Sequence, residues 1–495
     1  MGVEWWMFDL PPISGQLRAV FYAGLLLLCI LDRPSPLHAA LIIGRTERTF
    51  YTPVPFMRAL GISWVRPTFL WIVTALTVVV WIAAITGLCQ PFAAVLTFLG
   101  FAFLHAVNAG ALGSNHSTHL ALYVLFALCF CVSNDAWSFD HYLSSHTRWP
   151  FPLTAAPIFE SGFAPKLILV FMAYCMFAAG TTKIRNGGWT WLNGKALRFY
   201  IKESAEYARW PAFASALVTR RALCTLLSCF TVVIELAAIL VLWKSSYRLP
   251  FVLAWTCLHM GILLVMMPAY WVQMWCYILV LDWGGITKLI SGHKSEVIYP
   301  MASSLPLAAG PSAIFVSLLG FSICLALLVI LVRQCECWPF TTVPMYSNAV
   351  SPDLERRPML EELQLRAERA KAGDVSAWKR PWVTPEAWED IWIIPRRDAQ
   401  PISLHKLLEK RPNIKFVRWS QFAKVVREVT ITDLIAKPKG RAEFDALAPE
   451  YPATRFLRQV EAVVKRALPE WNEYKRLEMV CHADPEWIVI GRIDL

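Results

Sequence analysis

The stretch FLWIVTALTVVVWIAAITGL, residues 69–88, runs for 20 residues without one charged side chain. A helix rises about 1.5 Å per residue, so roughly 20 apolar residues cross the ~30 Å hydrocarbon core of a bilayer. Inside that core every backbone N–H and C=O must be satisfied, which restricts such a run to a helix. Runs of the same kind lie near 15–31, 92–112, 116–133, 165–183, 222–243, 249–267, 269–284 and 312–332, so about nine spans are predicted. Pro268 separates the seventh from the eighth with almost no loop, as in a tight turn or a broken helix. The expected fold is an all-α polytopic membrane domain over residues 1–348.

Past Val332 the apolar runs shorten to soluble length, and charges of both signs and several prolines appear. Helical spacing with charged faces is read at Leu360–Lys371 and Arg455–Leu468, and strands at Trp392–Pro395 and Trp487–Ile493. Residues 349–495 are therefore expected to form a small α/β soluble tail.

Composition agrees with a bilayer as solvent, since 56% of residues are hydrophobic and only 17% charged, with mean hydropathy +0.45. The 47 Lys and Arg against 36 Asp and Glu give +11, which in such a chain reflects loops facing anionic lipid. No nucleic-acid motif accompanies it, and no nucleic-acid partner is expected. Most of the 13 cysteines lie in or beside apolar runs, where a thiol behaves as a small hydrophobe. The Cys335-Glu336-Cys337 pair lacks zinc-ligand spacing, so no metal site is expected. The N-terminus, MGVEWWMFDLPP, lacks the basic region of a signal peptide, and Trp6 stands where a myristoylation motif has Ser or Thr. Arginines 33, 45, 48, 58 and 66 crowd the first loop; Lys195, Arg198, Lys202, Arg209, Arg220 and Arg221 crowd the fifth. With nine spans both loops share the tail's side, which the positive-inside rule makes cytoplasmic.

Ionisable groups in apolar spans cost about 2.5–3.5 kcal/mol each on insertion scales, so each asks for a partner or a task. The polar and ionisable groups singled out are Asn115 and His116 where the third span gives way to the fourth, Lys183 at the end of the fifth, Glu235 within the sixth and His259 within the seventh, with His105, Asn108 and His119 near the first group. If spans three and five run the same way, Asn115, His116 and Lys183 share one membrane level. A pocket there suits proton transfer, because a desolvated lysine can act as a neutral base while Asn and His orient a substrate oxygen. Against this stand a lysine snorkelling to the headgroups, an interhelical histidine bond, and a Glu235 that is structural, either protonated or paired with a neighbouring helix.

SNHSTHLALYVLFALCFCVSNDAWSFDHYL (114–143) followed by AAGTTKIRNGGWTWLNGKALRFYI (178–201) resembles the membrane domain of vitamin K-dependent γ-glutamyl carboxylases and of the wider horizontally transferred transmembrane (HTTM) domain family. TVVIELAAILVLW (231–243), LHMGILLVMMPAYWVQMW (258–275) and WPFTTVPMYS (338–347) continue the resemblance, which covers roughly residues 10 to 348. It implies a coupled reaction with reduced vitamin K or another quinol as cofactor, and CO2 and O2 as co-substrates. A lysine base deprotonates the quinol, oxygen turns it into a far stronger base, and that base removes a γ-proton from a peptide glutamate, whose carbanion captures CO2. By motif position Lys183 would be the lysine base, Asn115 and His116 would contact the quinol, and His259 would assist through hydrogen bonds.

Three features depart from the carboxylases. Their large β-rich propeptide-binding part is replaced by a short tail, the arginines of the first loop argue for a cytoplasmic rather than lumenal tail, and Met260-Gly261 follows His259 where they carry a polar group. Two functions follow from the resemblance: a quinol-dependent carboxylase acting on a peptide or protein, and a non-enzymatic HTTM protein that assists maturation or export of a secreted peptide. A transporter with Glu235 and His259 lining a path lacks the expected inverted repeat.

Overall fold

The computed structural model describes residues 12–32, 35–46, 53–112, 116–132, 136–151, 162–204, 208–266, 269–281 and 311–333, the tail segments 391–396, 476–483 and 486–494, and single positions between them. Among these, six helices are long and apolar enough to cross a membrane: Pro67–Thr86, Phe92–Ala111, Phe163–Gly187, Arg221–Leu242, Ser245–Met266 and Ile314–Arg333. The protein is thus a multi-pass integral membrane protein.

In chain order the helices are α1 (Gly15–Leu31), α2 (Ala39–Arg45), α3 (Pro55–Ala59), α4 (Pro67–Thr86), α5 (Phe92–Leu112), α6 (His116–Leu128), α7 (Phe139–His146), α8 (Phe163–Thr182), α9 (Trp189–Leu192), α10 (Lys195–Ser204), α11 (Pro211–Thr219), α12 (Arg221–Leu236), α13 (Arg248–Met266), α14 (Trp271–Cys276) and α15 (Pro311–Arg333). Local signals set their ends. Ser14 caps α1 by accepting the Leu17 N–H, and α4 opens on Pro67 and closes on Gly87 at φ +71°.

The count differs from the nine spans read from hydropathy at three places. The first run pairs with Pro36–Gly44 across a 45° bend. The run at 116–133 carries a helix of only 13 residues. The run at 269–284 is the short helix α14 tightened into a 3₁₀ turn over Tyr277–Val280. Hydropathy measures solvent preference, and a short helix buried among others scores as a span does.

Helix α8 is the centre of the bundle. Its membrane-length window is 83% buried, against 28% for Pro67–Thr86, because other helices surround it where lipid-facing helices meet hydrocarbon on one side. Helices α6, α12 and α15 and the Tyr277–Val280 turn pack around it. Two indoles tie α1 to its neighbours, Trp81 Nε1 donating to the Tyr22 carbonyl at 3.1 Å and Trp275 Nε1 to the Phe21 carbonyl at 2.9 Å. Between α8 and α12 the short helices α9–α11 fold back as a cap, with a small core of their own built from Trp191, Tyr200, Ile201 and Leu217 against Cys224, Val232 and Met266.

In the tail, β1 (Ile391–Arg396), β2 (Arg476–Ala483) and β3 (Glu486–Asp494) form an antiparallel sheet in that order. β1 and β3 cover the stretches read as strands at 392–395 and 487–493. Leu477 and Ile493, paired across β2 and β3, are buried. The stretch 360–371 and the domain boundary at 348/349 lie outside the described residues. Of 455–468 only five positions are described, all helical.

The turn between α4 and α5 is held from α7. Asp140 is fully buried, and its carboxylate accepts the backbone N–H groups of Cys89 and Gln90 at 2.8 Å each and Trp149 Nε1 at 2.9 Å. Burial, and after it this carboxylate, push the Cys89 thiol up from its ordinary value. Asp140→Ala takes the acceptor from three donors, an expected loss of about 3 kcal/mol by thermal unfolding in detergent. An unchanged midpoint would mean that the turn is held by other contacts.

Candidate functional site

Helix α8 ends at Thr182 and widens into a π turn over Lys183–Gly187, a distortion that recurs at functional sites. The turn directs Lys183 into the protein rather than along the helix surface. Its ammonium is buried and donates to both oxygens of Glu235 on α12, at 2.7 and 2.9 Å. The headgroup reading of Lys183 is thereby corrected, because a carboxylate on the neighbouring helix offers closer compensation than water does. Glu235 is paired with a neighbouring helix, and its partner is the residue expected to be the base.

The helices meet closely at this level because residue 180 has no side chain. A Cβ on Gly180 would lie 2.9 Å from the Glu235 Cβ and 3.0 Å from the Leu236 nitrogen, the small-residue contact that lets membrane helices approach. From the cap, the Trp191 ring faces Lys183 with its centroid 5.3 Å from Nζ, a cation–π distance. Trp191 is held in turn by Ser228, whose hydroxyl donates to the Trp191 carbonyl.

His259 on α13 is buried. Its Nδ1 lies 3.2 Å from Tyr277 Oη, which accepts from Gln273 Nε2 at 3.4 Å, and its ring packs 4.8 Å from that of Tyr270. His259 and Lys183, like Tyr277 and Glu235, lie near enough to interact electrostatically. The structure therefore joins Lys183 directly to Glu235 and places the His259–Tyr277 couple within electrostatic range of that pair, inside the bundle. Two indole N–H groups border these residues, Trp191 Nε1 and Trp255 Nε1, both buried without a hydrogen-bond partner. The Trp255 ring lies 5.7 Å from that of Tyr277.

Asn115 lies outside the described residues, and of His116 only the backbone is described, at the start of α6. Whether they share the Lys183 pocket is thus a matter outside the described residues, as are Cys335, Cys337 and the stretch 338–347. Their neighbours form a second polar cluster: His105 Nε2 lies 2.9 Å from Thr118 Oγ1, the His105 and His119 rings meet edge to face at 4.8 Å, and Asn108 Nδ2 donates to the Ser35 carbonyl at 2.6 Å. Among the described residues no group of three or more His, Cys, Asp or Glu is placed to hold a metal.

Sequence reading missed the Lys183–Glu235 partnership and the parts played by Trp191, Tyr277 and Gln273. The available signal was electrostatic necessity: two opposite charges in apolar segments, each needing a partner. Comparison with family models, curated proteins and solved structures finds no match.

Breaking the buried pair from one side strands the other charge. Glu235→Leu alone is expected to cost about 3–5 kcal/mol, and Lys183→Met with Glu235→Leu to recover most of it, as read by thermal unfolding in detergent. A double variant no more stable than the single one would show that the pair is not the source of the loss.

Proposed function

We propose that the protein is a membrane enzyme that takes a proton from a lipid-soluble quinol and couples its oxygenation to carboxylation of a peptide glutamate, as the sequence resemblance implies. The observation that carries this reading is the buried Lys183–Glu235 pair, bordered by His259–Tyr277 and by two indole N–H groups without partners. Quinol oxygens accept hydrogen bonds, and the donor set of Trp191 Nε1, Trp255 Nε1 and Lys183 Nζ suits them. Bound there, a quinol would supply the oxidisable ring whose reaction with O2 generates a base strong enough for a glutamate γ-proton.

The chain's own groups then have defined tasks. Glu235 accepts the proton, relayed through Lys183 Nζ, and becomes neutral. The Lys183 ammonium, released from its carboxylate, holds the negative charge at the atom the proton left. No net charge is created in an interior where an isolated one is very costly. The Trp191 ring covers the ammonium and keeps water from it, which strengthens each of these interactions.

The second reading, a non-enzymatic HTTM protein assisting maturation or export of a secreted peptide, draws support from one fact. Both close contacts of the Lys183 ammonium go to Glu235, as in a pair that only joins two helices.

The test follows quinol epoxide formation, and CO2 incorporation into glutamate-containing peptides, by purified protein in detergent with reduced vitamin K and with menaquinol. Lys183→Ala, Lys183→Arg and the folded Lys183→Met/Glu235→Leu variant are expected to lose epoxide formation by roughly 10²-fold or more, since a guanidinium is never a neutral base. Folded wild-type protein that oxidises neither quinol would sink the enzymatic reading and leave the second.

A further inference from the structure

The cap between α8 and α12 carries a charge pattern that the quinol reading does not use. From Gly188 to Arg221 the chain has six Lys and Arg against two Glu. Contacts bring the basic residues to one level of the bundle. Gly194 lies against the start of α12, where a Cβ would come within 2.6 Å of Thr225 Cα, and Thr225 Oγ1 donates to the Asn193 carbonyl at 2.9 Å. Lys195 is thereby held about one turn from Arg221. The backbone N–H of Trp210 donates to the Leu264 carbonyl at 3.1 Å, which fixes Arg209 beside the end of α13. Arg220 and Arg221 open α12 itself.

Exposure separates two zones at this level. Lys195, Arg209, Arg220 and Arg221 are exposed, as are the aromatic residues Trp189 at 72% and Trp210 at 55%. Immediately along α12, Leu223, Leu226 and Phe230 are exposed as well. A basic and aromatic rim that gives way within one turn to exposed leucine is the profile of a surface passing from lipid headgroups to lipid tails. Arg198 is the exception, because its Nε donates to the Val218 carbonyl at 2.9 Å and joins α10 to α11.

We infer that this cap is a binding surface for anionic phospholipid, with Arg209, Arg220 and Arg221 holding the headgroup phosphates and Trp189 and Trp210 seated at the acyl boundary. The charge complementarity names the occupant: planar guanidinium groups engage phosphate oxygens through paired N–H donors, and the exposed leucines below accept acyl chains, which a free phosphate lacks. The inference stands apart from the quinol reading, since none of these residues touches the Lys183–Glu235 pair.

The test uses the full-length protein in mixed micelles with dioleoylphosphatidylglycerol or dioleoylphosphatidylcholine, with bound lipid counted by native mass spectrometry. Each basic residue near an anionic surface contributes on the order of fivefold, so wild type is expected to retain the glycerol lipid at least about tenfold over the choline lipid. The preference should fall with salt, vanish in Arg209→Gln/Arg220→Gln/Arg221→Gln, and be weakened without vanishing in the corresponding triple lysine variant, which keeps the charge and loses the paired donors. Inorganic phosphate should not displace the lipid. Equal retention of both lipids, a preference indifferent to salt, a glutamine variant that keeps it, or displacement by phosphate would each overturn the inference. Should the glutamine variant fail to fold, the salt series on wild type decides.

Discussion

Two opposite charges with no water around them must meet, and much of this bundle is organised by that requirement. Lys183 lies on α8, the helix around which the others pack, and Glu235 on α12. Joining them fixes the rotation and vertical register of α12 against the centre. It also demands the bare backbone at Gly180 and fixes where the cap can come down, since Trp191 faces the ammonium from above. Apolar packing alone discriminates weakly between helix rotations in lipid, where a leucine on either face meets hydrocarbon; a charge pair discriminates strongly.

The same pair is the chemical centre of the proposed function, and the two roles support one another. A lysine retained only for chemistry would have to be shielded from the bilayer by other means; a pair retained only for packing needs no histidine–tyrosine couple beside it and no indole N–H groups without partners. The contact of Lys183 with Glu235 joins α8 to α12, and the same two groups are the ones the proposed acid–base step would use. The cap serves both, closing the centre from water while its outer rim meets the membrane surface.

How much of this was legible in the sequence varies with the physical range of each signal. Residues 69–88 were readable as a span because 20 uncharged residues leave the chain one solvent and one conformation. The run at 116–133 misled because the helix stops at Leu128 and Phe130 and Cys131 enter a turn, yet they are as apolar as a span. At 269–284 the 3₁₀ tightening at Tyr277 has no hydropathy signature. Lys183, Glu235 and His259 stood out as misfits in apolar surroundings, which is a local property. That Lys183 meets Glu235 is not local, for the two lie 52 positions apart and no periodicity relates them. Trp191 lies within the quoted segment 178–201 with nothing local to single it out; its position over Lys183 depends on how α9 returns along α12.

That separation also orders events during synthesis. Lys183 leaves the ribosome 52 residues before Glu235, and at about 5–20 residues per second that is an interval of roughly 3 to 10 s. For those seconds Lys183 lacks the carboxylate it meets in the folded bundle, so the buried pair forms only once α12 has been made. The central helix therefore owes the partner of its buried charge to a helix translated after it.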